Sequence, residues 1–264
     1  MNTNSAHSTT GHPVTILQVS EHLWHAVQDD RTVGRADAWR RPDGRTFVSL
    51  DAWDGAVFDR LAEAVSAHLP TPLYTLVDEN DPDLQASWQR VGFMTHRREW
   101  QYAVPTDPAA TGLDALRPPS GVTVLPAGQA AEGPLRALDR AIREEVGATV
   151  GWQSMPAEVI PLPDGVTVLD PSKYAVAVQA GRYVGLLRLA PVPRQPRIGL
   201  IAVRADHQRQ GIARALLADT LGALHHSGVA TATAEVSESN HAARELFEQI
   251  GARRVGGNLE LVRS

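Results

Sequence analysis

The chain has 264 residues, of which 43% are hydrophobic and 21% charged, with a formal net charge of −5 and no cysteine. This is the composition of an ordinary globular protein with enough chain for one large core or two small ones. It excludes disulfides, thiolate metal sites and a cysteine nucleophile, and it shows no domain-wide basic footprint for nucleic acid.

No apolar run reaches membrane-spanning length, and the polar lead-in "MNTNSAHSTTGHP" has no apolar core of a signal peptide. A cytoplasmic protein with neither a membrane nor a nucleic-acid partner is therefore expected. In chain order, strands "TVGRADAWR" (32–40) and "RTFVSL" (45–50) flank an "RPDG" turn. A helix near 57–69, a strand "LYTLV" (73–77), a helix near 82–90 and a strand "MTHRREWQYAV" (94–104) follow. The stretch "VPTDPAATGLDALRPPSG" (104–121) is rich in Pro, Ala and Gly and reads as a linker. The expected domains are 14–104 and 120–264, joined by a linker at 105–119.

The second part begins with a strand "GVTVLPA" (121–127) and a helix "GPLRALDRAIREEV" (133–146), followed by an irregular Trp/Met/Pro segment at 151–172. Strands "KYAVAVQA" (173–180) and "RYVGLLRLA" (182–190) meet at a tight "AGR" turn, and "RIGLIAV" (197–203) is dense in branched apolar residues. A long helix from 211, a strand "TATAEV" (231–236), a helix over 241–250 and two closing strands around "ARRVGGNLELVR" (252–263) complete it. This is an α+β pattern with a mixed sheet rather than regular βαβ alternation.

A faint internal repeat lies over these elements. "LVDENDPDLQASWQRVGF" (76–93) aligns without gaps on "EVSESNHAARELFEQIGA" (235–252), matching Val77 with Val236, Trp88 with Phe247 and Gly92 with Gly251. Both copies read as strand, polar turn, helix and glycine stop.

Chemistry concentrates at "DHQRQGIARALL" (206–217), a basic, amide-rich loop around Gly211 between a buried strand and a helix. The first amides of a helix lack intrahelical partners and carry the positive end of its dipole, so this order of elements presents N–H groups to an anion. Glycine at 211 admits close backbone approach. A plain solvated helix start is the alternative.

The run "QRQGIA", Gln208 to Ala213, fits the Q/R-x-x-G-x-G/A loop of the GNAT superfamily of acetyl-CoA-dependent N-acyltransferases. "NHAARELFEQIG" from Asn240 to Gly251 resembles that superfamily's N-x-x-A-x-x-L-Y-x-x-x-G motif, and the element order over 120–264 agrees. The layout is similar to tandem proteins of the mycothiol-synthase type. The resemblance implies a mixed, twisted GNAT-type sheet in the C-terminal part and a smaller, degenerate GNAT-like N-terminal part. Acetyl-CoA is the implied cosubstrate, with no metal, and a small-molecule amine the implied partner; a homodimer is compatible with it.

By the same resemblance the backbone from Gln208 through Arg209, Gln210, Gly211, Ile212 and Ala213 to Arg214 cradles the pyrophosphate, while the strand near Ile201 and Val203 pairs with the pantetheine arm. Arg209 and Arg214 can add charge there, although Arg209 could equally face solvent. Asn240 and Phe247 fall on the cofactor side. Glu235 stands where ribosomal-protein alanine acetyltransferases of this superfamily keep a base, five residues before Asn240; a solvated strand carboxylate is the alternative. Glu144 and Glu145 could serve as base or hold a cationic amine.

The sequence departs from the family at Phe247, where a tyrosine usually protonates the departing thiolate. Ser237, a water or another tyrosine such as Tyr174 would have to help, or the thiolate leaves unaided. A catalytically weak or inactive acetyl-CoA-binding or sensing protein is the rival reading. Trp152, Met155 and Pro156 sit where this superfamily shapes its acceptor pocket. His225 and His226 suit a helix C-terminus better than a metal, and His22 and His25 lack the spacing of a zinc protease motif. A dinucleotide-binding oxidoreductase fails for want of a G-x-G-x-x-G after an early strand. In the first part Asp51 and Asp54 stand where the second has uncharged and basic residues, so one acetyl-CoA per chain is expected.

Overall fold

The computed structural model describes residues 13–41, 43–149, 151, 167, 169–190, 192 and 195–264. The polar lead-in and the segment bearing Trp152, Met155 and Pro156 lie outside the described residues. The chain divides into two compact units, residues 1–96 with 259–264, and residues 97–258. The fold is α+β with mixed strand pairing.

In the first unit β1 (Thr15–Ser20), β2 (Leu23–Gln28), β3 (Arg31–Arg40) and β4 (Thr46–Ala52) form an antiparallel meander. Helix α1 (Gly55–His68) then leads to β5 (Leu73–Asp78), which pairs parallel with β4, and α2 (Pro82–Arg90) follows. Val57, Phe58, Leu61, Ala62 and Val65 make the buried stripe of α1, at the three-to-four spacing of a helix laid on a sheet. They pack with Trp24, Val33 and Ala36. The packing is close: a Cβ added at Gly34 of β3 would lie 2.8 Å from Cγ1 of Val57. The β1–β2 hairpin was not among the expected elements. All but one residue of β1 are exposed, so its sequence carries no clean apolar alternation.

The second unit contains most of β6 (Met94–Pro105), then α3 (Pro108–Thr111), β7 (Val122–Leu125), α4 (Glu132–Ala148), β8 (Tyr174–Gln179), β9 (Arg182–Ala190) and β10 (Arg197–Val203). Helix α5 (Ile212–His226), β11 (Thr231–Ser237), α6 (His241–Gln249) and β12 (Arg253–Arg263) complete the chain. The strand order is β6-β11-β10-β9-β8-β7. Alternate residues of the central strands enter two separate cores. Ala175, Leu187 and Ile198 pack with Ile212, Leu216 and Leu217 of α5, whereas Val176, Leu186 and Leu200 pack with Leu135, Leu138 and Ile142 of α4. The helices therefore cover opposite faces of this sheet.

The unit boundaries differ from the expected domains. β6 pairs antiparallel with β11 from Thr231↔Pro105 to Ser237↔Glu99, and its Tyr102 and Val104 enter the α5-side core. The stretch 105–119 is not a free tether. The Thr106 amide donates to the Ala230 carbonyl at 3.2 Å, Asp107 caps α3, and Leu113 is buried in the same core. At the C-terminus one continuous strand replaces the two expected. Gly256 and Gly257 do not turn the chain; β12 runs through them and its Leu259 and Leu261 enter the core of the first unit.

The repeated segments have matching local structure. Asp81 and Asn240 each accept from the backbone amide three residues on, Trp88 and Phe247 are each 2% exposed, and Gly92 and Gly251 both have positive φ.

Candidate active site

A groove opens in the second unit where two parallel strands separate. β10 and β11 pair only at Arg197↔Thr233 and Ile198↔Ala234. On its other edge β10 stays paired with β9 as far as Val203↔Gly185, with Gly199 skipped in the register. Beyond Ile198 the β11-facing edge of β10 is thus free to accept another extended chain. The resulting space, about 680 Å³, is lined by Ile201 and Val203 from β10, Glu235 and Ser237 from β11, and Asn240 and Phe247 from the α6 segment.

At its mouth the groove meets the start of α5. A 3-10 turn at Ala205–His207 follows β10, then Arg209 (φ 60) and Gly211 (φ 85) take left-handed backbone. Glycine adopts this conformation freely, whereas arginine stores strain of about 1–3 kcal/mol there. Helix α5 has no side-chain cap, and its first backbone bond runs from the Ala215 amide to the Gly211 carbonyl at 3.0 Å. The amides of Ile212, Ala213 and Arg214 therefore have no partner among the described residues. Gln208, Arg209, Gly211, Ile212, Ala213 and Arg214 all line the groove. Gln210 does not; its side-chain amide reaches the Asp206 carbonyl at 3.5 Å.

Several side chains stiffen this mouth. Gln208 donates through Nε2 to the Val203 carbonyl at 3.1 Å. Glu145 at the end of α4 accepts from Nε of Arg204 at 2.5 Å and from the Ala205 amide at 2.9 Å. Glu145 is thus engaged as an anchor for the loop, a role the sequence did not suggest, while Glu144 is exposed. His207 lines the groove and bonds to Asp206 at 2.6 Å, which holds that carboxyl below the usual range.

At the closed end, Glu235 is paired with Arg197, whose Nη1 lies 2.8 Å from Oε2. Ser237 is 6% exposed, with its hydroxyl 2.9 Å from that of Ser239. The Asn240 side chain accepts from the Ala243 amide at 3.1 Å, so its oxygen is spent on capping α6. Phe247 stacks on Tyr102 with ring centroids 6.1 Å apart. Tyr102 lies outside the groove lining and donates to Oε1 of Glu248 at 2.8 Å; burial, first, and then this carboxylate push its phenol up to about 12. Tyr174 is buried in the α4-side core, away from the lining, and burial raises its phenol as well. Among the described residues no tyrosine lines the groove.

The arrangement suits an extended ligand with an anionic end. Uncapped first-turn amides and the positive end of the α5 dipole meet the mouth, Arg209 and Arg214 are among its lining residues, and an open strand edge leads inward. No group of three or more metal-ligating side chains occurs among the described residues, and among them no helix is long and apolar enough to cross a membrane.

Residues 141–252 match the family described as Acetyltransferase (GNAT) family. Over 51 residues, 19% of this chain, the sequence is 51% identical to the ribosomal protein bS18 alanine N-acetyltransferase of Escherichia coli (strain K12). The match spans 34% of that enzyme's length. Among solved structures, a GCN5-related N-acetyltransferase from Sphaerobacter thermophilus aligns with a TM-score of 0.63 and 20% identity, over 94% of this chain and 82% of that one. A tandem GNAT protein from the clavulanic acid biosynthesis pathway aligns with a TM-score of 0.61 and 17% identity, over 91% and 81%. At these identities the structural matches speak for the fold, which is GNAT-like across most of the chain.

Proposed function

We propose that this chain, whose residues 141–252 match the Acetyltransferase (GNAT) family, transfers the acetyl group of acetyl-CoA to the amine of a small molecule by direct attack. The observation that carries the reading is the splay of β10 from β11, ending at an α5 start whose amides have no cap. Acetyl-CoA supplies an activated thioester carbonyl. The amides of Ile212, Ala213 and Arg214 are suited to its pyrophosphate, with Gly211 allowing close approach, and the open edge of β10 near Ile201 and Val203 to its pantetheine arm.

In this reading the groove-lining Glu235 takes a proton from the acceptor ammonium, directly or through one water. Ser237, buried and among the groove-lining residues, is the hydroxyl assigned in this reading to protonating the leaving thiolate. The acceptor is read as a small cationic amine rather than a membrane or nucleic acid. The likeness to an enzyme acting on a ribosomal protein covers too little of either chain to carry its acceptor over.

Phe247 supports a second reading, an acetyl-CoA-binding or sensing protein without turnover, because the ring at this position has no proton to give. Incubating the full chain with acetyl-CoA and a panel of amines, while following free thiol and CoA binding in parallel, separates the two. Amine-dependent thiol release supports transfer, binding without release supports sensing, and absence of both removes the acetyl-CoA assignment.

A further inference from the structure

Glu235 does not stand alone at the closed end of the groove. Arg197 lies on the first of the two rungs that join β10 to β11, and Glu235 is the first residue of β11 beyond the second. Ala232, Ala234 and Val236 enter the α5-side core, which turns Thr233, Glu235 and Ser237 toward the opposite face of the strand. Ile198 enters that same core, so its neighbour Arg197 shares the face of Glu235. The guanidinium reaches across the point where the strands part and holds one carboxylate oxygen, Oε2, at 2.8 Å. Both side chains are 27% exposed. The pair is wet enough to be reached by a substrate and close enough to be a charge-assisted hydrogen bond. The backbone rungs already join the strands here, so the ion pair is not needed to close the sheet.

We propose that Arg197 is a positioning residue acting through Glu235. By tying down Oε2 it fixes the rotamer of a side chain with three free torsions and leaves Oε1 to meet the proton of the acceptor amine. Without it, Glu235 would keep its charge but lose its aim, and misplacement by about 1 Å costs on the order of 10²-fold in rate. The inference rests on Glu235 being the base.

A double-mutant cycle on the full chain tests it, using Arg197→Gln, Glu235→Gln and the pair together, with cooperative melting required of each variant. Arg197→Gln should lower kcat by about 10–10²-fold with KM for acetyl-CoA unchanged. In the Glu235→Gln background the same substitution should change kcat less than about two-fold, because the group it positions is gone. Arg197→Lys should recover part of the rate, and added guanidinium ion should partly rescue Arg197→Ala but not Glu235→Gln. Equal losses in both backgrounds, or no loss in either, would overturn the role of Arg197 while leaving the base in place. If the wild type shows no turnover, or Glu235→Gln keeps it within a few-fold, the reading of Glu235 as base fails and this inference falls with it.

Discussion

Glu235 faces the groove with one oxygen committed to Arg197, so its chemistry is read through the other. Replacing it with glutamine should lower turnover by about 10²–10⁴-fold, the range usual for loss of a general base. Acetyl-CoA affinity should barely change, because the amides proposed for its pyrophosphate belong to a different segment. Thiol-release kinetics alongside calorimetric titration checks both halves of this expectation. Tyr102 gives a second residue-scale prediction. Its phenol is pushed up to about 12 in the fold, against about 10 in an unfolded chain. Between those values the unfolded chain has released a proton that the folded chain keeps, so stability falls as pH rises from about 10 toward 12 and is unaffected below that window. Tyr102→Phe keeps the stack on Phe247 and should flatten part of this alkaline slope. Tyr174, also raised, retains the rest. Denaturant unfolding at pH 9 and pH 11 measures the difference.

At the scale of elements, the two ends of the groove are helix starts of opposite kinds. α6 is closed by Asn240, whose side chain accepts from the Ala243 amide, whereas α5 begins bare after Gly211. Asn240→Ala should cost about 1 kcal/mol, as should Asp81→Ala at the corresponding cap on Leu84, and shifts in urea midpoint report each. At position 211 a Cβ would lie 3.7 Å from Cγ of Pro119, an ordinary contact, so space is not the obstacle. The obstacle is the backbone, since φ 85 costs any other residue about 1–2 kcal/mol. Gly211→Glu adds a carboxylate to the same strain at the open helix end. It should melt cooperatively at a slightly lower Tm and lose CoA binding in titration. Unchanged affinity would remove the pyrophosphate from this loop.

At the scale of the whole molecule, the first unit repeats the splay but not the bare helix. β4 and β5 pair only at Thr46↔Leu73 and Phe47↔Tyr74, as β10 and β11 do at two rungs. There, however, Oδ1 of Asp54 accepts the Val57 amide at 2.8 Å, so α1 is closed by its own carboxylate. One acetyl-CoA per chain is expected, and calorimetric stoichiometry decides; two equivalents would show that the first splay still holds a nucleotide. The exchange of strands carries a further expectation. Residues 120–264 made alone would lack β6, exposing an edge of β11 and removing Tyr102 and Val104 from the core around α5. That fragment should not melt cooperatively, whereas the full chain should. A fragment that folds and binds CoA would show β6 to be dispensable.

What the sequence by itself determined is what acts over one turn or one strand. The helix behind Gly211, the Asn240 motif with its glycine stop, and the apolar runs of β8, β9 and β10 are all local, and each is found in the fold within a residue or two. The loop, asparagine motif and element order were enough to suggest the family. What only the tertiary structure decided is which distant segments meet. Arg197 finds Glu235 across 38 positions and Tyr102 finds Glu248 across 146. Strand β6 leaves the unit of its own half of the chain to pair with β11, and the end of β12 enters the core of the first unit. A strand's pattern records which side is buried but not which neighbour it pairs with. Partner choice is settled by the summed burial and backbone bonding of the assembled sheet, to which no single segment of sequence holds the key.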